Sequence, residues 1–158
     1  MELKFKVHAR IARPPDQVFE AVADPAQLSR YFTTGGAEGR LETGETVTWD
    51  FADFPGAFPV EVVEAVANRR IVLRWEANEG PPEDGEAGAG SGYQTLVTME
   101  FEALGDGRTE VTIAEEGWRD TPGGFKGCVG NCSGWTQMLC AMKVYVEHGL
   151  NLRRDMYV

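Results

Sequence analysis

The chain has 158 residues, 42% of them hydrophobic and 25% charged, with a formal net charge of −10. That length is enough for one well-buried core and asks for no second, so residues 1–158 are read as a single domain. The charge excludes nucleic acid and anionic membrane as principal partners, since both would repel a surface of this sign.

Leu3, Phe5, Val7, Ala9 and Ile11 alternate with Lys4, Lys6, His8 and Arg10, the period-2 pattern of a strand with one wet face. His8 lies on the wet phase and is expected to be exposed and inert. No apolar run in this segment is long enough for a signal peptide or a membrane span. The odd cysteine count, Cys128, Cys132 and Cys140, agrees with a reducing compartment, so a cytoplasmic location is expected.

Pro14-Pro15 ends the strand and opens a short helix with Val18, Phe19 and Val22 along its apolar edge and Asp16 near its amino end. Asp24-Pro25 pairs a capping side chain with a proline at the first helical position. A second short helix, Ala26 to Phe32, is predicted there, with Leu28, Tyr31 and Phe32 inward. Strand signals follow almost without pause. Gly39 to Leu41 reads as a short edge strand; Val47, Trp49 and Phe51 alternate with polar residues; Phe54-Pro55-Gly56 reads as a turn. Phe58 to Val66 and Ile71 to Ala77 form a hairpin across Asn68-Arg69-Arg70, with Ile71, Leu73 and Trp75 inward.

Asn78 to Gly92 is rich in glycine, proline and acidic residues and cannot bury enough apolar area to order itself. It is expected to be a mobile connection, either a lid over a cavity mouth or a surface insertion. Val97, Met99 and Phe101 alternate next, Gly105-Asp106-Gly107 turns, and Thr109, Val111 and Ile113 complete the last strand. Trp135, Met138, Leu139, Met142, Tyr145 and Val146 then recur at the spacing of one apolar helical stripe. Glycines 123, 124, 127, 130 and 134 each cost about 1 kcal/mol relative to alanine inside a helix. Loop or broken helix is therefore expected before Ser133, and regular helix from Ser133 to Gly149.

A one-sided helix after so many strands needs a concave sheet face to cover it, and such a pairing leaves a cavity between the two. Trp49, Trp75, Trp118, Tyr93 and Tyr31 can supply aromatic walls to that space, and Met99, Met138 and Met142 adaptable ones. The predicted ligand-lining set is Tyr31, Trp49, Trp75, Tyr93, Val97, Met99, Trp135, Met138 and Met142. No catalytic residue is assigned. The single candidate for proton transfer is Glu115, which continues the inward phase of Val111 and Ile113, unless a one-residue bulge before Gly117 turns it to solvent. Phosphate-cradling, nucleophile-elbow and paired-histidine motifs are missing from the sequence. No metal or cofactor is expected; Cys128 and Cys132, four residues apart, are too few ligands for structural zinc.

Ile11-Ala12-Arg13-Pro14-Pro15-Asp16-Gln17-Val18-Phe19-Glu20-Ala21, Asp24-Pro25 and Glu64 to Trp75 carry a family likeness. Gly134-Trp135 with Leu139, Lys143 and Glu147-His148-Gly149 extend it. On these phrases the chain resembles the START-like helix-grip superfamily (SRPBCC), and within it the group related to the activator of the 90-kDa heat-shock protein ATPase. The resemblance implies an α+β helix-grip fold: a seven-stranded curved antiparallel sheet wrapped around the C-terminal helix, with two short helices after the first strand closing one end of a cavity. Members of that superfamily bind hydrophobic ligands, cyclise polyketides or act on a chaperone in the stress response, so fold alone does not select the activity. The primary expectation is non-catalytic binding of a small, largely hydrophobic molecule. The alternatives are an interaction protein acting on a heat-shock chaperone, and a cyclase or dehydratase using Glu115 with Tyr93 or Tyr31. A homodimer through an edge strand or a flank of the long helix is compatible with either.

Overall fold

The computed structural model describes residues 1–80 and 90–158. The expectation of a mobile connection or lid over Asn78 to Gly92 falls mostly on residues 81–89, outside the described residues. Three helices and seven strands follow in the order β1 (Leu3–Ile11), α1 (Pro15–Ala23), α2 (Pro25–Leu28), β2 (Gly36–Glu38), β3 (Thr46–Phe51), β4 (Phe54–Val66), β5 (Arg70–Glu76), β6 (Gln94–Ala103), β7 (Thr109–Trp118) and α3 (Pro122–His148). The strands make one curved antiparallel sheet in the order β1-β7-β6-β5-β4-β3-β2. Chain neighbours from β2 to β7 are spatial neighbours, and β1 closes against β7 at the far edge. This is the helix-grip architecture that the family resemblance implied.

The alternation in β1 appears as expected, with Lys4, Lys6, His8 and Arg10 outward; exposed His8 meets Glu110 through its Nδ1 at 2.8 Å. The α3 stripe faces the sheet, burying Trp135, Met138, Leu139, Ala141 and Met142 in the same core as Val18, Phe19 and Val22 of α1 and Leu73, Met99, Val111 and Ile113 of the sheet. A fully buried leucine- or methionine-sized side chain contributes about 1.5–3 kcal/mol, so this layer dominates the fold. The Asp24 carboxylate caps α2 by accepting from the Ala26 N–H at 2.9 Å, with Pro25 at the first helical position.

Several boundaries differ from the sequence reading. Helix α2 stops at Leu28, and residues 29–32 continue as turns that still carry Tyr31 and Phe32 inward. The edge strand is Gly36–Glu38, not Gly39 to Leu41, since Gly39 turns at φ +94° and Leu41 is buried with its N–H on the Ala23 carbonyl. The β3–β4 turn is Ala52-Asp53, and Phe54 already pairs with Phe51.

The largest correction concerns α3, which is continuous from Pro122. The Thr121 hydroxyl accepts from the Gly124 N–H at 3.0 Å, Pro122 occupies the first turn, and helix runs through five glycines. Packing explains two of them. A Cβ on Gly124 would stand 1.9 Å from the Arg119 carbonyl oxygen, and one on Gly127 would stand 2.5 Å from both the Asn78 carbonyl oxygen and the Trp118 ring. The helix lies so close to the sheet edge that only glycine fits, and this contact offsets the propensity cost. Trp118 there forms a second small core with Leu3, Ala77 and Cys128.

Gly127→Ala is accordingly expected to destabilise the protein by about 1–3 kcal/mol through overpacking. Gly130, with nothing within 4 Å of a built Cβ, is the control. Gly130→Ala is expected to stabilise by up to about 1 kcal/mol. Thermal or urea unfolding of both variants gives the check, and equal effects would contradict the packing account.

Candidate functional site

Three adjacent strands and one helix converge beneath the centre of the sheet. Trp75 on β5 lies directly across from Thr95 on β6, and Glu115 on β7 lies across from Val97, two residues further along the same face. The bulge between β1 and β7 falls at Gly117, whose φ of +99° suits glycine. Because the bulge follows Glu115, the inward phase holds through that residue. Continuous α3 brings Asn131 and Trp135, one turn apart, over the same point.

Glu115 has no exposed surface. Its Oε1 accepts from Trp75 Nε1 at 2.9 Å, Thr95 Oγ1 at 2.6 Å and Asn131 Nδ2 at 3.1 Å. Its Oε2 accepts from Trp135 Nε1 at 2.9 Å and Asn131 Nδ2 at 3.0 Å. An indole N–H can only donate, so the two tryptophans require an acceptor on each oxygen. Among the described residues no basic side chain forms an ion pair with this carboxylate. Neutral donors alone replace its lost water, each bond to a charged group being worth about 1.5–3 kcal/mol.

A cavity of about 1190 Å³ opens on the other side of this wall. Trp75, Asn131 and Trp135 separate it from Glu115, which does not line it. Phe32, Phe51, Phe58 and Tyr93 add aromatic surface, and Gly134 and Gln137 form the α3 side. The rings lock one another: Trp75 and Trp135 are 5.4 Å apart by centroids, Phe32 and Trp135 5.3 Å, Phe58 and Trp75 5.9 Å, and Phe51 and Phe58 5.9 Å. A Cβ built on Gly134 meets nothing within 4 Å, so this glycine keeps the space empty. Ionic groups sit at the edges. Arg153 binds Asp53 at 3.3 Å and the Phe32 carbonyl at 3.2 Å at one end, while Glu76, Glu79 and Lys126 stand at the other. A second groove of about 1260 Å³, between α1, α2 and the C-terminal residues, has walls about evenly divided between polar residues such as Asp16, Glu20 and Arg30 and apolar ones such as Val144 and Leu152. It offers no aromatic wall of comparable extent.

With this geometry in view, the sequence matches a family model, that of the activator of Hsp90 ATPase homolog 1-like proteins, over residues 12–147. The chain belongs to that family. No curated protein matches it significantly. Among solved structures it is similar to a protein from Staphylococcus saprophyticus, with 25% identity and a TM-score of 0.72 over 97% of this chain and 96% of that one. It is similar also to DynU16 of the dynemicin biosynthetic locus, with 22% identity and a TM-score of 0.74 over 95% of this chain and 49% of that one. A third is the Aha1 dimer from Colwellia psychrerythraea, with 18% identity and a TM-score of 0.70 over 92% of this chain and 97% of that one. The last two likenesses show the fold alone.

Of the nine residues proposed from sequence as ligand-lining, Trp75, Tyr93 and Trp135 line the cavity of this family member. Tyr31, Trp49, Val97, Met99, Met138 and Met142 are almost wholly buried in the packed core and do not line it. The Tyr31 hydroxyl donates to the Ala21 carbonyl at 2.9 Å and its ring stacks on Tyr145. Burial and the neighbouring Tyr145 push its phenol well above the usual tyrosine range. The Tyr93 hydroxyl donates to Glu79 Oε1 at 2.6 Å, and burial, then that bond, raises its phenol too. Neither tyrosine touches Glu115.

Asn131 and Thr95 were missed by the sequence reading. Asn131 lay in the stretch read as broken helix, although it stands one helical turn before Trp135. Thr95 is two residues before Val97 on the same strand phase. The three cysteines are free, and the Cys128 thiol is pushed up by burial, with the Glu115 charge and Cys132 adding to it. Among the described residues no group of three or more potential metal-ligating side chains forms, and no helix is long and apolar enough to cross a membrane.

Glu115→Gln puts an amide N–H₂ where one carboxylate oxygen now accepts, leaving at least one buried donor unpaired. The expected loss is about 1–3 kcal/mol in urea unfolding, with the indole N–H resonance of Trp75 or Trp135 moving toward its unbonded position. Unchanged stability and unchanged resonances would contradict the network described.

Proposed function

We propose that the protein is a cytoplasmic, non-catalytic binder of a small, largely hydrophobic molecule, held between the sheet and α3. The observation that carries this reading is the aromatic cavity kept open by Gly134. Flat rings from three strands, one turn and α3 line it, and the glycine faces it where any larger residue would project inward. Its volume is on the scale of ligand sites, typically about 300–1,000 Å³, and slightly above it. Within this reading Glu115 is a positioning residue: its bonds hold Trp75 and Trp135 in place, and its oxygens are fully engaged behind the wall they form. A proton-transfer role would require a substrate to displace that wall.

A second reading is supported by the family match, namely action on a heat-shock chaperone through the outer surface. It makes a different demand on Gly134, since filling the cavity would leave an outer surface intact.

Gly134→Leu separates the two. The side chain meets no atom on its first carbon, and removing a helical glycine favours the helix by up to about 1 kcal/mol, so Tm is expected to hold or rise. Native mass spectrometry of the wild type purified from its host is expected to show an added small-molecule mass that organic extraction removes, and the variant is expected to lack it. A wild type that carries nothing and quenches no tryptophan fluorescence with aromatic probes would remove the binding reading. Equal stimulation of a chaperone ATPase by both proteins would favour the second.

A further inference from the structure

We infer that this cavity selects apolar molecules bearing a positive charge, an organic ammonium above all, over neutral or anionic molecules of the same shape; the inference rests on the cavity being a ligand site. Glu115 is a buried carboxylate with no basic partner among the described residues, one side chain away from the cavity floor. Its five hydrogen bonds come from neutral groups that spread its charge without cancelling it. The low dielectric of the surrounding core screens that charge poorly, so its field reaches the cavity.

The two indoles relay the same preference. The face of a tryptophan ring already attracts cations, and Trp is the best of the aromatic side chains for this. Here both N–H groups point at the carboxylate, which pushes electron density back into the rings; half-buried Trp75 is the one with surface left for a ligand, since Trp135 is 2% exposed and stacked on Phe32. Asn131 shares the geometry, with its amide N–H₂ turned to Glu115.

The other charges do not reverse the sign. Arg153 lines the cavity with its guanidinium 6.0 and 5.8 Å from the Phe32 and Phe51 ring centroids, and its charge is countered by Asp53 at 3.3 and 3.4 Å. Lys126 is solvent-exposed at the rim, where water and salt screen it, and Glu76 and Glu79 stand on the same rim. Among the described residues the lining and underlying groups together leave an excess of acid, of which Glu115 lies behind Trp75 and Trp135.

The test is a matched pair of probes, 4-hydroxyphenyl-trimethylammonium and its uncharged isostere 4-tert-butylphenol, titrated into the full chain by NMR. The Trp75 and Trp135 indole N–H resonances report the site, and Trp118 in the second core serves as control. The ammonium is expected to bind about 10-fold more tightly than the isostere, although hydrophobicity alone favours the neutral probe. Glu115→Gln, where it folds, is expected to lower ammonium affinity more than isostere affinity. Equal affinities, a preference for the neutral probe, or a preference unchanged in a folded Glu115→Gln would overturn the inference while leaving the cavity a ligand site. Failure of both probes to move either resonance would remove both.

Discussion

A carboxylate removed from water with only neutral partners among the described residues is the constraint around which this protein is organised. Placing Glu115 in the interior would cost several kcal/mol if it were bare. The structure offsets that cost with four side chains drawn from β5, β6 and α3. Those partners must arrive together, because a half-satisfied buried charge is worse than an apolar core. The network therefore ties three strands to the helix at one point, with a directionality that hydrophobic contact alone lacks.

Two features elsewhere are needed for that point to exist. The helix must continue back to Asn131 and beyond, and it does so by pressing Gly124 and Gly127 against Arg119, Asn78 and Trp118. The extra residue of β7 must be absorbed after Glu115, and the left-handed Gly117 takes it. An extra residue placed before Glu115 instead would turn the carboxylate to solvent and leave both indoles without an acceptor. Backbone permissiveness at a few glycines thus decides the chemistry of a residue none of them touches.

Much of the architecture was legible in sequence because periodicity records burial directly. The alternation of Leu3 to Ile11, the Asp24-Pro25 cap and the stripe from Trp135 to Val146 each report a local choice that the fold keeps. The inward direction of Glu115 followed from the phase of Val111 and Ile113 in the same way. What was illegible depends on distance in the chain. Helix through Gly123 to Gly134 contradicts local propensity, and part of what offsets it is the approach of Gly127 to Asn78, which lies far back in the chain and outside any window around the glycines. The distinction between cavity wall and packed core was hidden for a similar reason. Trp49 and Trp75 share one pattern and even touch, at 5.9 Å between centroids, yet only Trp75 lines the cavity. Which ring faces open space depends on what α3 places near it: Trp135 packs against Trp75 at 5.4 Å, and Gly134 beside it leaves the cavity open.

The same geometry explains how one fold can accommodate different tasks within a family. Sheet, helix and the Glu115 network form a rigid frame whose polar groups are already committed to one another. The cavity beyond it is also bounded by side chains that carry little of that burden, such as Gln137 and the rim residues near Glu76 and Lys126. Substitutions there would reshape what enters without disturbing the indoles or their acceptor. A frame stabilised from behind its own binding wall lets the front of that wall vary, so a shared family and a shared fold leave the identity of the bound molecule to be read from the cavity residues of each chain.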